Sequence, residues 1–139
     1  MKERAVFEYA RRIGMRDVDA GGVLFFARYL SLVHEATEEM LARHGIHFIG
    51  QVEEHGVAFP VVHVQADYRR SLLVGETTTI QLSIAEVKRR TYTIAFKFLV
   101  QGQTAANGQI VHACVDCATR KATPLPPHLV DILQACSGS

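Results

Sequence analysis

Residues 17–44 read DVDAGGVLFFARYLSLVHEATEEMLARH and contain a glycine-rich loop followed by the best-marked helix of the chain. Apolar side chains recur at helical spacing, which predicts a helix from Leu24 to about His44. Gly45 is a suitable residue to end it, because glycine readily adopts the left-handed conformation of a helix C-terminus. The apolar stripe consists of Phe25, Tyr29, Leu32, Val33, Ala36 and Met40. Such a stripe needs an apolar surface to cover.

The rest of the chain is predicted to be rich in strands. One strand precedes the helix and four follow it, at residues 3–13, 57–68, 77–87, 91–100 and 110–119. Residues 102–108 (GQTAANG) are predicted to form a hairpin turn, and shorter helices are predicted over 48–55 and from Pro127. One long helix among five strands predicts an α+β domain in which the helix lies across an antiparallel sheet.

Length and composition exclude several classes of protein. The 139 residues fit one domain, residues 1–139, and 48% hydrophobic with 21% charged residues is typical of a globular chain. A net charge of +1 provides no overall attraction to nucleic acid or to an anionic membrane. No apolar run approaches the ~18 residues of a membrane span, and the N-terminus lacks the apolar core of a secretory signal. Three cysteines make no disulfide framework. We therefore expect a cytoplasmic domain without nucleic-acid or membrane partners.

Two aspartates, Asp17 and Asp19, stand immediately before the glycines of the loop. A carboxylate at a helix N-terminus can cap the free backbone N–H groups, or it can face a substrate beside those donors. The second arrangement places a base or nucleophile next to an anion-stabilising amide, as acyl transfer requires. Both uses stay open on these residues alone.

The stretch from Asp17 to Tyr29 resembles the D-x-D-x-x-G-x-V-x-[FY]-x-x-Y signature of hotdog-fold thioesterases of the 4-hydroxybenzoyl-CoA type. Residues 34–36 (HEA), 59–63 (FPVVH) and 122–126 (ATPLP) match further family stretches in order. Together they look most similar to the branch that hydrolyses 1,4-dihydroxy-2-naphthoyl-CoA. The resemblance covers essentially the whole chain. It implies a hotdog fold, with an antiparallel sheet wrapped around one long central helix, and thioester hydrolysis without a metal or redox cofactor.

The resemblance also implies roles for individual residues. Asp19 corresponds to the catalytic carboxylate, acting as nucleophile or general base. The backbone N–H of Phe26 corresponds to the oxyanion donor, with Gly22 as the preceding glycine. Asp17 is interpreted as holding the loop through backbone hydrogen bonds. Where many relatives carry a His or Pro, residues 20–22 are AGG, which predicts a more mobile loop.

Basic residues form three groups at predicted strand ends, at residues 69–70, 88–90 and 120–121. Arginine and lysine bind polyphosphates, and they also keep strand ends soluble. In the family the coenzyme A phosphates are held by residues matching Lys88, Arg90 and Lys121. The apolar tunnel for the acyl group would be lined by residues such as Phe25, Phe26, Tyr29 and Phe59. The family forms dimers, often paired into tetramers, with each active site at the dimer interface.

Several alternatives remain open at this point. Glu35 is a rival base, because a second branch of the family places its carboxylate on the central helix. His34 and His63 are interpreted as structural, and so are Cys114 and Cys117, which lack the partners of a zinc site. Among enzymes, the alternative to an aromatic acyl-CoA thioesterase is a short-chain or general aliphatic acyl-CoA thioesterase. A different class is a non-catalytic module that binds acyl-CoA or an acyl carrier.

Overall fold

Alternating apolar residues and one amphipathic helix build the α+β architecture expected from the sequence. The computed structural model describes residues 6–136. Its helices are α1 (Phe26–Ala42), α2 (Phe48–His55) and α3 (Pro127–Cys136), with one 3₁₀ turn at Met15–Asp17. Its strands are β1 (Phe7–Arg12), β2 (Val57–Ala58), β3 (Val61–Tyr68), β4 (Thr77–Val87), β5 (Thr91–Val100), β6 (Gln103–Ala113) and β7 (Val115–Asp116). None of the helices within residues 6–136 is long and apolar enough to cross a membrane.

Five strands form one antiparallel sheet in the order β1-β4-β5-β6-β3, while β2 pairs with β7 in a separate ribbon. The apolar stripe of α1 is buried in the core that the sheet shares. The ring of Tyr29 meets Phe98 of β5 edge-on, with centroids 5.0 Å apart. Leu32 and Ala36 are fully buried. The apolar side of the helix therefore covers the sheet, as its stripe requires.

The long helix occupies the predicted region with one difference at its start. It begins at Phe26, and Phe25 is the N-cap residue with 47% of its surface exposed. Phe25 is therefore outside the core, whereas the other members of the predicted stripe are buried. Gly45 has a φ of 79°, the left-handed conformation expected after a helix.

The predicted hairpin turn over residues 102–108 is wrong. The turn is formed by Gln101 and Gly102, both with positive φ, and β6 already starts at Gln103. Ala105 is completely buried. A Cβ at Gly108 would lie 2.1 Å from the Gln65 carbonyl oxygen and 2.8 Å from the ring of Phe96. These small residues are needed for close packing inside a strand, which composition alone does not distinguish from a turn.

Two other predicted strands are divided in the structure. The segment 57–68 breaks at Phe59 and Pro60, so that β2 leaves the main sheet and β3 becomes its edge. The segment 110–119 leaves the sheet after Ala113, and a turn follows β7, where the Asp116 carboxylate accepts the backbone N–H groups of residues 118 and 119. The first strand is shorter than predicted, at Phe7–Arg12, and residues 3–5 of that prediction lie outside the described residues.

Candidate active site

The Asp19 loop holds its carboxylate by one oxygen only. Asp19 Oδ1 accepts the backbone N–H groups of Gly21 at 2.9 Å and Val23 at 3.3 Å. Gly22, with a φ of 77°, donates its own N–H to the Asp19 carbonyl oxygen and makes the tight return of the chain possible. The residue is exposed, and Oδ2 has no partner among residues 6–136. The side chain is thus oriented by its loop while one oxygen stays available.

The helix start stands directly after this loop. Phe26 is the first residue of α1, so its N–H has no partner within the helix and carries the partial positive charge of the helix end. Leu24 is fixed by a 2.8 Å hydrogen bond from its N–H to the Leu72 carbonyl oxygen. Tyr68 donates its hydroxyl to the Phe26 carbonyl oxygen at 3.2 Å. The first amide of α1 therefore lies in a fixed position near solvent, since 63% of Phe26 is exposed.

Asp17 is buried beneath the loop and binds two guanidinium groups. It accepts hydrogen bonds from Arg11 at 2.8 Å, from Arg28 in the first turn of α1, and from the Gly14 N–H at 2.9 Å. Burial raises the pKa of this carboxyl, but these three hydrogen bonds outweigh burial and hold the pKa far below its usual range. The contacts agree with a loop-holding role, although the arginines contribute more to it than backbone groups do.

Glu35 is joined to the same network through Arg11. Its Oε2 accepts hydrogen bonds from Arg11 Nε and from the Tyr9 hydroxyl, both at 2.8 Å. Burial raises the pKa of Glu35, but the bonds from Arg11 and Tyr9 lower it below its ordinary value. Glu35 is therefore an ionised, paired carboxylate, which is poorly suited to accept a proton as the rival base. Sequence reasoning missed Arg11 and Tyr9 because they lie on β1, 24 and 26 residues away.

Two cavities lie along α1. The larger, of about 930 Å³, lies between the second half of α1, α2 and the β2–β3 connection, and Phe48 and Phe59 line it. The smaller, of about 190 Å³, lies between α1 and β3. His34 borders both cavities, stacks on Phe48 with centroids 5.3 Å apart, and places Nε2 2.9 Å from Glu38. Of the predicted tunnel residues, Phe59 lies in a cavity wall, whereas Phe25, Phe26 and Tyr29 line neither cavity.

Two of the three basic groups meet at one end of the sheet. Lys88 and Arg90 lie in the β4–β5 turn, and the Arg90 carbonyl oxygen accepts the Cys114 N–H at 2.8 Å. The segment that starts at Cys114 then turns back at Lys121, whose carbonyl oxygen accepts the Asp116 N–H at 2.9 Å. All three basic side chains are exposed. The group at residues 69–70 follows β3 at the opposite end, so the three groups do not converge.

The Asp19 loop and the basic end are far apart within one chain. The first turn of α1 lies beside Tyr68, at the end of β3. The Asp19 loop also contacts the segment just before β4, because Val74 donates its N–H to the Gly22 carbonyl oxygen at 2.9 Å. The Lys88–Arg90 turn instead follows the last residue of β4, a strand of 11 residues that is roughly 35 Å long. One chain alone therefore separates the carboxylate from the Lys88–Arg90 turn by about the length of β4.

Other candidates take no part in these clusters. His63 is exposed on the edge strand β3. Cys114 is buried and Cys117 is exposed, and both are free thiols. Over the described range no three His, Cys, Asp or Glu side chains come together as metal ligands.

An antiparallel sheet wrapped around one long helix, with a D-x-D loop at the helix start, defines the hotdog class of thioesterase folds. Residues 13–133 match the family described as the Thioesterase-like superfamily. The chain belongs to this superfamily.

Similar proteins have names that specify a substrate. The chain is 34% identical over 131 residues to a 1,4-dihydroxy-2-naphthoyl-CoA hydrolase of Synechococcus elongatus, covering 94% of this chain and 96% of the relative. It is 32% identical over 128 residues to a protein of the same name from Nostoc punctiforme, covering 92% and 86%. A crystal structure of a 1,4-dihydroxy-2-naphthoyl-CoA thioesterase from Synechocystis superposes with a TM-score of 0.87 at 24% identity, covering 93% and 96%. That likeness supports the fold.

Proposed function

We propose that this chain is an acyl-CoA thioesterase that hydrolyses an aromatic CoA thioester to the free acid and CoA. The observation that carries the proposal is the Asp19 carboxylate, which keeps one oxygen free in the loop that leads directly into the first turn of α1. The names of the relatives, which are hydrolases of 1,4-dihydroxy-2-naphthoyl-CoA, support an aromatic acyl group. The cytoplasmic location and the lack of a metal or redox cofactor remain predictions from the sequence.

In the proposed mechanism the Phe26 N–H binds the thioester carbonyl oxygen and stabilises the negative charge that develops on it. Asp19 has two possible roles. As a nucleophile it forms an anhydride with the acyl carbon and expels CoA as a thiolate, and water then hydrolyses the anhydride. As a general base it takes a proton from water, the hydroxide adds to the carbon, and the departing thiolate receives the proton. Both routes yield the acid and free CoA.

The proposed site requires a second copy of the chain. β3 is an edge strand, and its residues Val61, Val62 and Tyr68 are 49%, 58% and 46% exposed. An unpaired edge with apolar side chains favours pairing with another strand. Antiparallel pairing of two β3 strands creates a two-fold dimer and places the Tyr68 end of one chain beside the Val61 end of its partner. The Asp19 loop of one chain then approaches the basic end of the other. Pairing of dimers into tetramers remains a prediction.

A substrate panel tests the proposed activity. We expect purified protein to hydrolyse benzoyl, hydroxybenzoyl and dihydroxynaphthoyl CoA with a higher kcat/KM than butyryl CoA, because relatives with 34% and 32% identity are named as hydrolases of an aromatic CoA thioester. A preference for butyryl CoA would favour the aliphatic thioesterase. Binding of the thioesters without any turnover would favour the non-catalytic module.

The basic end predicts a difference between CoA and pantetheine substrates. Replacing Lys88 and Arg90 together by Ser should raise KM for CoA thioesters roughly tenfold, because two charge-assisted contacts to phosphate are lost. Both side chains are exposed, so the fold should be unaffected. KM for the corresponding pantetheine thioesters, which lack the nucleotide phosphates, should stay unchanged. Equal effects on both substrates would exclude phosphate binding by these residues.

Arg12 on β1, the sheet edge opposite β3, and Lys97 on β5 provide the matched control, because both side chains are exposed and neither lies in the Lys88–Arg90 turn. Replacing them by Ser removes the same charge without the expected change in KM. Complementation then tests the shared site: a mixture of Asp19→Asn protein with the Lys88/Arg90 double variant should recover activity that neither has alone at low substrate concentration. Mixed dimers restore one complete site only if Asp19 and the basic residues of that site come from different chains. No recovery after subunit exchange would mean that each chain works alone.

A further inference from the structure

The small cavity between α1 and β3 combines apolar walls with buried polar side chains. Its apolar lining consists of Leu30, Val33, Val61, Val64 and Ile110. Thr37 of α1 and His112 of β6 line it as well and are only 1% and 3% exposed, while the exposed His34 borders it with Nε2 2.9 Å from Glu38. A buried polar group without a partner costs free energy, so the hydrogen-bonding state of these two side chains indicates what the cavity accepts.

In both side chains the hydrogen-bond donor is already bonded to a backbone carbonyl oxygen of the protein. Thr37 donates its hydroxyl to the Val33 carbonyl oxygen at 2.8 Å, which leaves the oxygen lone pairs as acceptors. His112 Nδ1 lies 3.0 Å from the Phe59 carbonyl oxygen. A carbonyl oxygen only accepts, so Nδ1 carries the hydrogen, and the other nitrogen of a neutral imidazole is an acceptor.

The neutral form of His112 is favoured by its surroundings. Burial lowers the pKa of His112, and the neighbouring His34 lowers it further, against the hydrogen bond to Phe59. Tyr92 stacks on the ring with centroids 5.0 Å apart and an interplanar angle of 12°, which fixes its orientation. His112 Nε2 has no partner in the part of the chain that the structure describes. The cavity therefore offers two acceptors, His112 Nε2 and Thr37 Oγ1, and lacks a donor from either residue.

The cavity begins close to the proposed oxyanion donor. Leu30 is four residues after Phe26, about 6 Å along the helix and on the same face. β3 forms the opposite wall, and its last residue, Tyr68, is bonded to the Phe26 carbonyl oxygen. An acyl group whose carbonyl oxygen lies at the Phe26 N–H can extend along α1 into this space.

We propose that this cavity is the acyl subsite, and that His112 and Thr37 select an acyl ring that carries a hydroxyl group. The inference rests on the proposed thioesterase activity and adds to it the residues that determine specificity. A ring hydroxyl supplies the missing donor to His112 Nε2 or to Thr37 Oγ1. An unsubstituted ring of the same size leaves both acceptors dehydrated and unpaired, so it binds less well.

The test compares substrates that differ by one hydroxyl. The substrates are benzoyl CoA and the 2-, 3- and 4-hydroxybenzoyl CoA isomers. We expect kcat/KM for the best hydroxylated isomer to exceed that for benzoyl CoA about tenfold or more. In His112→Asn the amide nitrogen can still donate to the Phe59 carbonyl oxygen, but the Nε2 acceptor is lost. This ratio should fall towards one, because the hydroxylated substrate loses a hydrogen bond that benzoyl CoA never makes.

Two Thr37 variants provide an independent measurement. Thr37→Val has nearly the same shape but no hydroxyl, and it should lower the same ratio, whereas Thr37→Ser keeps the hydroxyl and should preserve it. A wild-type ratio near one, or a ratio that none of the acceptor-removing variants changes, would overturn the inference. If the wild type hydrolyses none of the four substrates, the proposed function fails. Binding of the free hydroxybenzoates and benzoate then decides the inference separately, since equal Kd values in the wild type and His112→Asn would refute it.

Discussion

Asp19→Asn should lower kcat for thioester hydrolysis roughly 10²–10⁴-fold, the range typical of losing a group that takes part in proton transfer. Asparagine keeps an Oδ1 that can accept the N–H groups of Gly21 and Val23, so the loop should retain its shape. Its amide can neither attack the acyl carbon nor take a proton from water. The expected loss is therefore in kcat, with KM and CoA binding close to those of the wild type.

Steady-state kinetics and calorimetric binding of CoA measure these two effects separately. Asp131→Asn, on the exposed surface of α3, removes one negative charge elsewhere and serves as the matched control. Turnover by Asp19→Asn within tenfold of the wild type would exclude Asp19 as the catalytic group. Weak binding together with slow turnover would instead indicate that the substitution has disturbed the loop.

The parts of the fold that the sequence predicts well are those with local periodicity. The stripe of α1 and the alternation of β4 and β5 each follow from neighbouring residues, and the structure places all three elements where they are expected. The turn predicted over residues 102–108 is wrong because the small residues there are required by contacts with residues distant in the sequence. Gly108 is small because Gln65 and Phe96 approach it, and neither contact can be recognised from the local sequence.

The candidate site likewise combines residues that the local sequence predicts with residues that only tertiary contacts bring together. The D-x-D loop is a local motif, so Asp19 and the start of α1 could be located from the sequence. The partners of Asp17 and the acceptors of the small cavity depend on tertiary pairing. Arg11 reaches Glu35 only because β1 lies near α1, and His112 faces the cavity only because of its register on β6. In the proposed dimer the Asp19 loop meets the basic end of the partner chain, a relation that no pattern within one chain encodes.

Asp17→Asn should lower the free energy of unfolding by about 3 kcal/mol, the lower end of the range for removing one partner of a buried ion pair. The Asp17 side chain is fully buried, and replacing its carboxylate by a neutral amide leaves the Arg28 guanidinium without its counter-charge and leaves Arg11 paired with Glu35 alone. Urea unfolding at neutral pH measures the change, with Asp131→Asn as the surface control. A loss no larger than that of the control would mean that the network contributes little to stability.

The pH dependence of this difference identifies the charge as its cause. The folded-state pKa of Asp17 is far below the value of about 4 expected in the unfolded chain, so its contribution is present above about pH 4 and is lost as the pH falls further. The gap in stability between the wild type and Asp17→Asn should therefore be constant near neutral pH and shrink in acid. Arg28 also connects Asp17 to the first turn of α1, so kcat should fall as well, but less than in Asp19→Asn. A gap that stays the same down to pH values below about 3 would show that packing, rather than the buried charge, makes Asp17 important.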